Sequence, residues 1–155
     1  MSEASATKPV MVPRWLVRTI WVVHRATYSM TGGRFGLRPS TESQWGMLRL
    51  TSVGRRSGKA RVAIVGYIVD GPNLVVPAMN GWAEPEPAWW LNLQANPDTM
   101  VELTDGPRAV HGRAATPDER PRLWAKWGEY NDKDALASWS ARRPGETAVV
   151  ILEPR

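Results

Sequence analysis

The apolar segments of this chain are separated by turns that are too short to be parallel crossovers. A DGPN turn at 70–73 follows an apolar run at 61–69, and a DGP turn at 105–107 lies between two further apolar runs. Antiparallel strands can be joined by tight hairpins, whereas parallel strands need a connection of roughly a dozen residues or more. The pattern therefore predicts an antiparallel sheet or small barrel with peripheral helices, and it argues against a doubly wound sheet. The predicted strands are 47–53, 61–69, 74–78, 101–103, 109–115 and 147–152.

Two of these segments have a further local signature. The run at 61–69 is apolar enough to predict a strand that is buried on both faces. The TPDE sequence at 116–119 combines Thr, Pro and Glu at the spacing of a capping box, which predicts that a helix begins there. Helices are also predicted at 88–96, which Asn96-Pro97 ends, and at 133–141.

The N-terminal part of the chain predicts a single amphipathic helix ahead of the strands. Residues 1–12 are small and polar and are expected to be disordered, and an amphipathic helix is predicted at 13–30, so that 13–155 forms one domain. Arginines flank the apolar stripe of this helix, which would suit either packing on its own domain or contact with an anionic membrane. The stripe contains Leu16, Ile20, Val23 and Thr27.

Composition excludes several classes of site. The 155 residues include no Cys and only two separate histidines, His24 and His111. Thiolate nucleophiles, iron–sulfur clusters and zinc–thiolate sites are therefore excluded, and no metal site is predicted. No uncharged apolar run reaches the ~20 residues that span a bilayer, and the N-terminus lacks the layout of a secretory signal, so we expect a cytoplasmic protein.

The charge of the chain is unevenly distributed. The net charge is +5, residues 1–61 contain eleven Lys and Arg against two acidic residues, and no Lys or Arg lies between Arg61 and Arg108. A segregated positive half indicates an anionic partner, although a solvated basic face would look the same. No nucleic-acid partner is predicted, because the basic half lacks interleaved aromatic residues and any known binding signature.

The basic turn GRRSGKAR at 54–61 is the strongest candidate for an anion site. Four cations lie within seven residues, and two glycines let the backbone turn sharply and expose N–H groups. Arginine offers planar, multi-donor contacts to phosphate or carboxylate. A second candidate is the PAMNG loop at 77–81 followed by PAWWLNLQANP at 87–97, where a strand end and a helix start could border a flat ring.

Six segments share the order and spacing of one known family: LTSVGRRSGKAR, VVPAMNG, PAWWLNLQANP, VEL, TPDERPRLW and VVILEP. Together they resemble the deazaflavin-dependent oxidoreductases of the nitroreductase type, which use coenzyme F420, over roughly residues 14–154. The basic turn and the PAWWLNLQANP helix are the specific parts. The resemblance implies a mainly β (α+β) fold, a split β-barrel of about six mostly antiparallel strands with peripheral helices.

The resemblance also implies the site. The family's coenzyme is an 8-hydroxy-5-deazaflavin that carries a phosphate, a lactyl group and a polyglutamate tail, so it is a polyanion. On the matching turn, shaped by Gly58, its acidic groups would bind Arg55, Arg56, Ser57 and Arg61, with Lys59 facing the tail. The ring would be bordered by Pro77, Ala78, Met79, Asn80, Trp89 and Asn92. Tyr130 is the candidate proton donor.

The implied activity is hydride transfer from reduced F420 to a small planar acceptor. Met79 and Asn80 stand where nitro-reducing relatives have Ser and Lys, which favours an activated alkene (enone) or quinone over a nitroaromatic compound. Two alternatives stay open: a split-barrel protein that binds FMN, and a non-catalytic carrier of F420. The protein is expected to be a monomer or homodimer, with peripheral membrane contact through helix 13–30 as an open possibility.

Overall fold

The computed structural model describes residues 18–20, 22–23, 36–79, 86–130, 133–141 and 145–155. The chain divides into two compact units, Met1–Phe35 and Gly36–Arg155. No helix in these described ranges is long and apolar enough to cross a bilayer.

The described residues of the first unit are helical and lie inside the helix predicted at 13–30. Ile20 and Val23, which the spacing assigns to the apolar stripe, are each 58% exposed, and Val22 is 66% exposed. At these positions the apolar stripe is therefore on the surface. The terminus predicted at 1–12 lies outside the described residues.

The second unit contains every strand that the sequence predicts, together with three helices. The elements in its described part are β1 (Gly46–Val53), β2 (Ala60–Asp70), β3 (Asn73–Pro77), α1 (Ala88–Ala95), β4 (Asp98–Leu103), β5 (Gly106–Ala114), α2 (Arg120–Glu129), α3 (Lys133–Ser140) and β6 (Val149–Pro154).

The six strands form a closed barrel in the order β1-β2-β3-β6-β5-β4, and all neighbouring strands are antiparallel. The ring closes between β1 and β4, where Leu50 pairs with Val101. The last strand, β6, lies between β3 and β5. The predicted antiparallel barrel of about six strands is confirmed.

Hairpin geometry follows from the turn residues. Gly71 and Pro72 form the loop between β2 and β3, with Asp70 paired to Asn73 and Gly71 at φ +59°. Proline cannot adopt positive φ, so a type I′ turn is excluded, and glycine stands at the one position where a type II′ turn needs positive φ.

Two apolar clusters hold the unit together. The first combines inward-facing strand residues such as Leu48, Leu50 and Val101 with Trp89 and Leu93 of α1. The second lies on the outer face of the barrel, where Ile68 and Ile151 meet Leu123 and Trp127 of α2 and Leu136 of α3.

β2 is less buried than its sequence predicts. Its first three residues, 60–62, are exposed, and Val69 near its end is 43% exposed. In a closed barrel only the inward face of a strand is covered automatically, and the outward face needs a helix. On β2 the second cluster covers the outer face at Ile68. The prediction that this strand is buried on both faces is therefore wrong for residues 60–62 and for Val69.

The predicted capping box is present ahead of α2. The backbone N–H of Glu119 donates to Thr116 Oγ1 at 3.3 Å, and the backbone N–H of Thr116 donates to Glu119 Oε2 at 2.9 Å. This reciprocal pairing satisfies donors that a helix start otherwise leaves free. The regular helix begins at Arg120, directly after this turn.

Two carboxylates tie α2 and its capping box to the barrel. Asp70 of β2 accepts both Nη atoms of Arg122, at 2.8 and 2.9 Å, and Nζ of Lys126 at 3.2 Å. Glu119 accepts both Nη atoms of Arg113 on β5, at 2.7 and 2.9 Å. The arginine hydrogen bonds lower the pKa of Asp70 from 3.8 to about 2 and that of Glu119 from 4.5 to about 2.

The double variant Asp70→Asn/Glu119→Gln is expected to lose less stability in acid than the wild type. A carboxyl with a depressed folded pKa stabilises the fold above its unfolded pKa, and that stabilisation disappears as the pH falls through the folded value. The wild-type melting temperature should therefore fall between about pH 4.5 and about pH 2, and that of the variant should fall less steeply.

Thermal unfolding followed by circular dichroism at each pH measures this difference. Asp118→Asn is the control, because Asp118 is exposed and forms no ion pair with the described residues. Equal slopes for the wild type and the double variant would show that these contacts do not contribute to acid stability.

Candidate functional site

The basic turn connects β1 to β2 at one rim of the barrel. The backbone N–H of Gly54 donates to the carbonyl of Lys59, and that of Gly58 donates to the carbonyl of Gly54, both at 2.8 Å. Gly58 has φ +66°, which favours glycine. A Cβ on Gly54 would lie 2.6 Å from Ser57 Oγ and 3.2 Å from the Lys59 carbonyl oxygen. Both glycines of the motif are therefore required by the shape of the turn.

The cations of this turn differ from most other basic residues of the unit. Arg55, Arg56, Lys59 and Arg61 are exposed, and none of them forms an ion pair with any residue that the structure describes. Most other described arginines of the unit are matched to carboxylates, as Arg113 is to Glu119, whereas Arg38 donates to the carbonyl of Trp45. The turn therefore presents an uncompensated positive cluster, which can hold an anion of more than one charge.

Helix α1 lies directly behind the turn and contacts it through Asn92. The Asn92 Oδ1 accepts the backbone N–H of Arg55 at 3.1 Å and Arg55 Nη1 at 3.3 Å. The Asn92 Nδ2 donates to Ser52 Oγ at 3.2 Å, and Ser52 Oγ donates to the carbonyl of Arg61 at 3.4 Å. Sequence reasoning assigned Asn92 to the ring wall, whereas its described contacts are with the turn and with β1.

The close approach of α1 to the barrel depends on Gly112 of β5. A Cβ at Gly112 would lie 3.0 Å from Leu93 Cδ1, and the Gly112 N–H donates to the carbonyl of Pro97 just after the helix at 2.8 Å. The absence of a side chain on β5 thus allows α1 to reach the strand, and α1 in turn carries Asn92 to the turn.

The segment predicted to border a ring leaves the barrel at the end of β3. Pro77 and Ala78 are buried, Met79 is half-buried, and the Ala78 N–H donates to the carbonyl of Ala148 at 2.8 Å. Ala78 and Trp89 belong to the same interior cluster. The strand end and the helix start that the sequence pairs thus both contribute to the interior of the barrel, while Asn80 lies outside the described residues.

Trp90, next to Trp89 on α1, has an unsatisfied polar atom. The residue is only 3% exposed, and its indole Nε1 has no hydrogen-bond partner among the residues that the structure describes. Buried donors in proteins are usually paired. A polar group is therefore expected beside this indole, from a ligand or from another part of the chain.

Tyr130 lies in a different environment from the turn and α1. It follows α2 and packs against the outer cluster that contains Trp127 and Leu136. No contact within the described part of the chain joins its hydroxyl to Arg55 or Asn92. Tyr130 therefore stays a predicted proton donor that the described geometry does not bring to the anion turn.

Ser52 is a site residue that sequence reasoning missed. It is 1% exposed on the inward face of β1, following Leu48 and Leu50. The available signal was a hydroxyl at an inward position of an otherwise apolar alternation, because a buried polar side chain needs a partner.

Comparison with known proteins assigns the chain to a family. The family described as F420H(2)-dependent quinone reductase matches residues 20–154. The chain belongs to the F420H(2)-dependent quinone reductase family. Membership in this family confirms two predictions, coenzyme F420 and the class of F420-dependent oxidoreductases, whereas the nitroreductase label stays a prediction.

The F420H(2)-dependent quinone reductase family includes curated relatives from mycobacteria. A putative F420H(2)-dependent quinone reductase of Mycobacterium tuberculosis is 38% identical over 109 residues, which cover 70% of this chain and 89% of the relative. An F420H(2)-dependent quinone reductase of the same species is 31% identical over 153 residues, which cover 93% of this chain and 99% of the relative.

Solved structures support the fold of the family in this chain. A structure of an F420-H2 dependent reductase superposes with a TM-score of 0.61 at 23% identity, covering 69% of this chain and 93% of the other. A structure described as a domain-swapped dimer superposes with a TM-score of 0.65 at 22% identity, covering 88% and 99%. At this level of identity the likeness shows the fold alone.

Gly58→Ala is expected to lower the free energy of unfolding by about 1 kcal/mol, because an L-residue is strained in the left-handed region. Gly58→Asn should lose less, since Asn tolerates that region better. Urea unfolding measures both. Gly145→Ala is the control, because Gly145 has open space for a Cβ and no positive φ. Equal losses at positions 58 and 145 would contradict the role given to Gly58.

Proposed function

We propose that this chain binds reduced coenzyme F420 at the turn between β1 and β2 and uses it to reduce a quinone. The observation that carries the proposal is the group of four exposed cations on that turn, which have no carboxylate partner in the described residues. A coenzyme with a phosphate and a polyglutamate tail supplies the missing negative charge. Family membership supports the same coenzyme.

The roles that we propose on the turn are those that its resemblance to the family motif implies. Arg55, Arg56, Ser57 and Arg61 would bind the phosphate and neighbouring acidic groups, and Lys59 would face the tail. The Ser57 hydroxyl already accepts the Lys59 N–H at 3.3 Å, so its proton is available to a phosphate oxygen. Guanidinium groups provide bidentate contacts that hold an anion in a defined orientation.

The ring would lie where the end of β3 and the start of α1 meet. Buried Ala78 leaves the backbone close to a flat ligand, and Pro77 and Met79 flank it. Trp89 belongs to the same cluster as Ala78, and we place Asn80 at this wall as well. The indole N–H of Trp90, which has no hydrogen-bond partner among the described residues, fits a bound group that offers an acceptor near α1.

When bound, the reduced deazaflavin supplies a hydride from its C5. Residues of this chain would hold the acceptor near that carbon and exclude water, and this positioning would raise the rate. Reduction of a quinone to a hydroquinone takes one hydride and one proton. Because Tyr130 packs in the outer cluster, we propose that the proton comes from solvent and that Tyr130 has a packing role.

Quinones are the acceptor class that appears in the description of the family and in the names of its curated relatives. Enones remain a second acceptor class and nitroaromatic compounds a third. Met79 provides a flexible apolar surface beside the proposed ring, which suits an apolar planar acceptor better than a charged one.

Titration with oxidised F420, followed by fluorescence, is expected to show saturable binding that weakens at least tenfold in the variant Arg55→Ala/Arg56→Ala. Hydrogen bonds to charged groups are each worth about 1.5–3 kcal/mol, and the variant removes several. Arg108→Ala is the control, because Arg108 lies on β5 beside the hairpin at the other end of the barrel.

Three outcomes separate the alternatives. Preference for FMN in a matched titration would contradict the coenzyme. F420 binding with no turnover on quinone, enone or nitroaromatic acceptors would indicate a carrier. Oxidation of reduced F420 by a quinone, lost in the double variant at low coenzyme concentration, is the result that we expect.

We propose in addition that the N-terminal unit contacts membrane surfaces, where apolar quinones dissolve. The supporting observation is the exposure of Ile20, Val22 and Val23 on helical backbone that also carries Arg18. Exposed apolar side chains beside a cation are typical of helices that bind at the interface of an anionic bilayer.

Co-sedimentation with vesicles tests this contact. The wild type should bind phosphatidylglycerol vesicles more strongly than phosphatidylcholine vesicles, and Ile20→Ser/Val23→Ser should reduce the bound fraction severalfold because it removes apolar area that the bilayer would bury. Thr19→Ser is the matched control on the same segment. Binding that does not change in the double variant would contradict the proposal.

A further inference from the structure

We propose that Asn92 is a positioning residue, which orders Arg55 for anion binding through a buried amide while leaving the arginine charge uncompensated. This inference rests on the proposed function for the identity of the anion. The contacts that support it are those of Asn92 with Arg55 at the start of the turn and with Ser52, which itself hydrogen-bonds to Arg61 at the end of the turn.

The pair Asn92–Ser52 is a polar link in an apolar surrounding. Asn92 is 4% exposed and Ser52 is 1% exposed, and their neighbours Leu50 and Leu93 are fully buried apolar residues. A buried amide or hydroxyl without a partner costs about 1–3 kcal/mol. Both side chains are therefore kept at these positions only if their hydrogen bonds are made.

The chemistry of the donors fixes the orientation of the Asn92 amide. The Arg55 backbone N–H and Nη1 can only donate, so the amide oxygen must face them. The amide nitrogen then donates to Ser52 Oγ, and the hydroxyl is free to use its own proton toward the Arg61 carbonyl. One amide thus connects the first cation of the turn to the last.

The contact orders one cation more than the others. Arg55 is held at its backbone and at one guanidinium nitrogen, whereas the side chains of Arg56, Lys59 and Arg61 make no hydrogen bond with the described residues. A side chain that is ordered before binding loses less conformational entropy when the ligand arrives. Arg55 is therefore the anchor of the turn, and the remaining cations adapt to the anion.

The residue type at position 92 agrees with an anion site. An aspartate could accept the same two hydrogen bonds from Arg55 and would add the attraction of a salt bridge. Its negative charge would also lie within hydrogen-bonding distance of the Arg55 guanidinium and would compete with the ligand for that group. Side-chain volume does not distinguish Asn from Asp here. The amide donor to Ser52 Oγ and the binding of an anion at the turn both favour Asn.

Amide hydrogen exchange tests the contact without any coenzyme. In the wild type the Arg55 N–H should exchange more slowly than the Arg56 N–H. The difference should disappear in Asn92→Ala and persist in Asn92→Asp and in Gln94→Ala, a control at an exposed position of the same helix. Undiminished protection of Arg55 in Asn92→Ala would overturn the proposal.

Coenzyme affinity tests the charge argument. Asn92→Asp should keep the Arg55 protection yet raise the Kd for F420 about tenfold, comparable with loss of one charge-assisted hydrogen bond. In turnover with a quinone, both position-92 variants should raise the KM for reduced F420 and leave kcat at saturation unchanged. Asn92→Asp that binds F420 as tightly as the wild type would overturn the proposal.

These two measurements separate the failure of the inference from that of the proposed function. If the wild type does not bind F420, the proposed function fails, and the exchange of the Arg55 N–H still decides whether Asn92 orders the turn. If Asn92→Ala does not fold, Ser52→Ala replaces it. That variant removes one link of the pair and should weaken the Arg55 protection and the F420 affinity by a smaller factor, whereas unchanged values would contradict the coupling.

Discussion

Closure of the barrel between β1 and β4 is the constraint on which the rest of this structure depends. With that pairing made, each strand has a hydrogen-bonded neighbour on both sides over at least part of its length, so no strand has an edge that is open throughout. The β1–β2 hairpin holds the basic turn at one rim. Closure brings α1 to that side, because α1 leads directly into β4 and β4 pairs with β1, and α1 also packs close to β5 at Gly112. The basic turn and Asn92 meet because both are attached to this ring.

Local features of the fold could be predicted from the sequence, and the order of the ring could not. The DGPN turn at 70–73 specifies its hairpin because the residues that need positive φ or a fixed φ are in the turn itself. The pairing of β3 with β6 joins segments more than seventy residues apart, and neither segment has a sequence feature that indicates which strand it pairs with. The overestimated burial of β2 has the same origin, since apolar composition does not show which outward positions a helix will cover.

The site shows a similar division. Gly54, Ser57 and Gly58 could be assigned to an anion turn because the shape of that turn is local. The role of Asn92 could not be read in this way, because its partners Arg55 and Ser52 lie 37 and 40 residues away in the chain. Resemblance to a family identified Asn92 as a site residue, and only the hydrogen bonds show that it faces the turn.

The position of β6 has a consequence for how this protein is made. Because β6 is the last strand in sequence and lies between β3 and β5, the ring cannot close on the ribosome until residue 154 has left the exit tunnel. Until then β3 and β5 each have an open edge that can pair with another chain. Both edges therefore stay unpaired until β6 emerges, and each is a place where a chaperone or another unfolded chain can bind during translation.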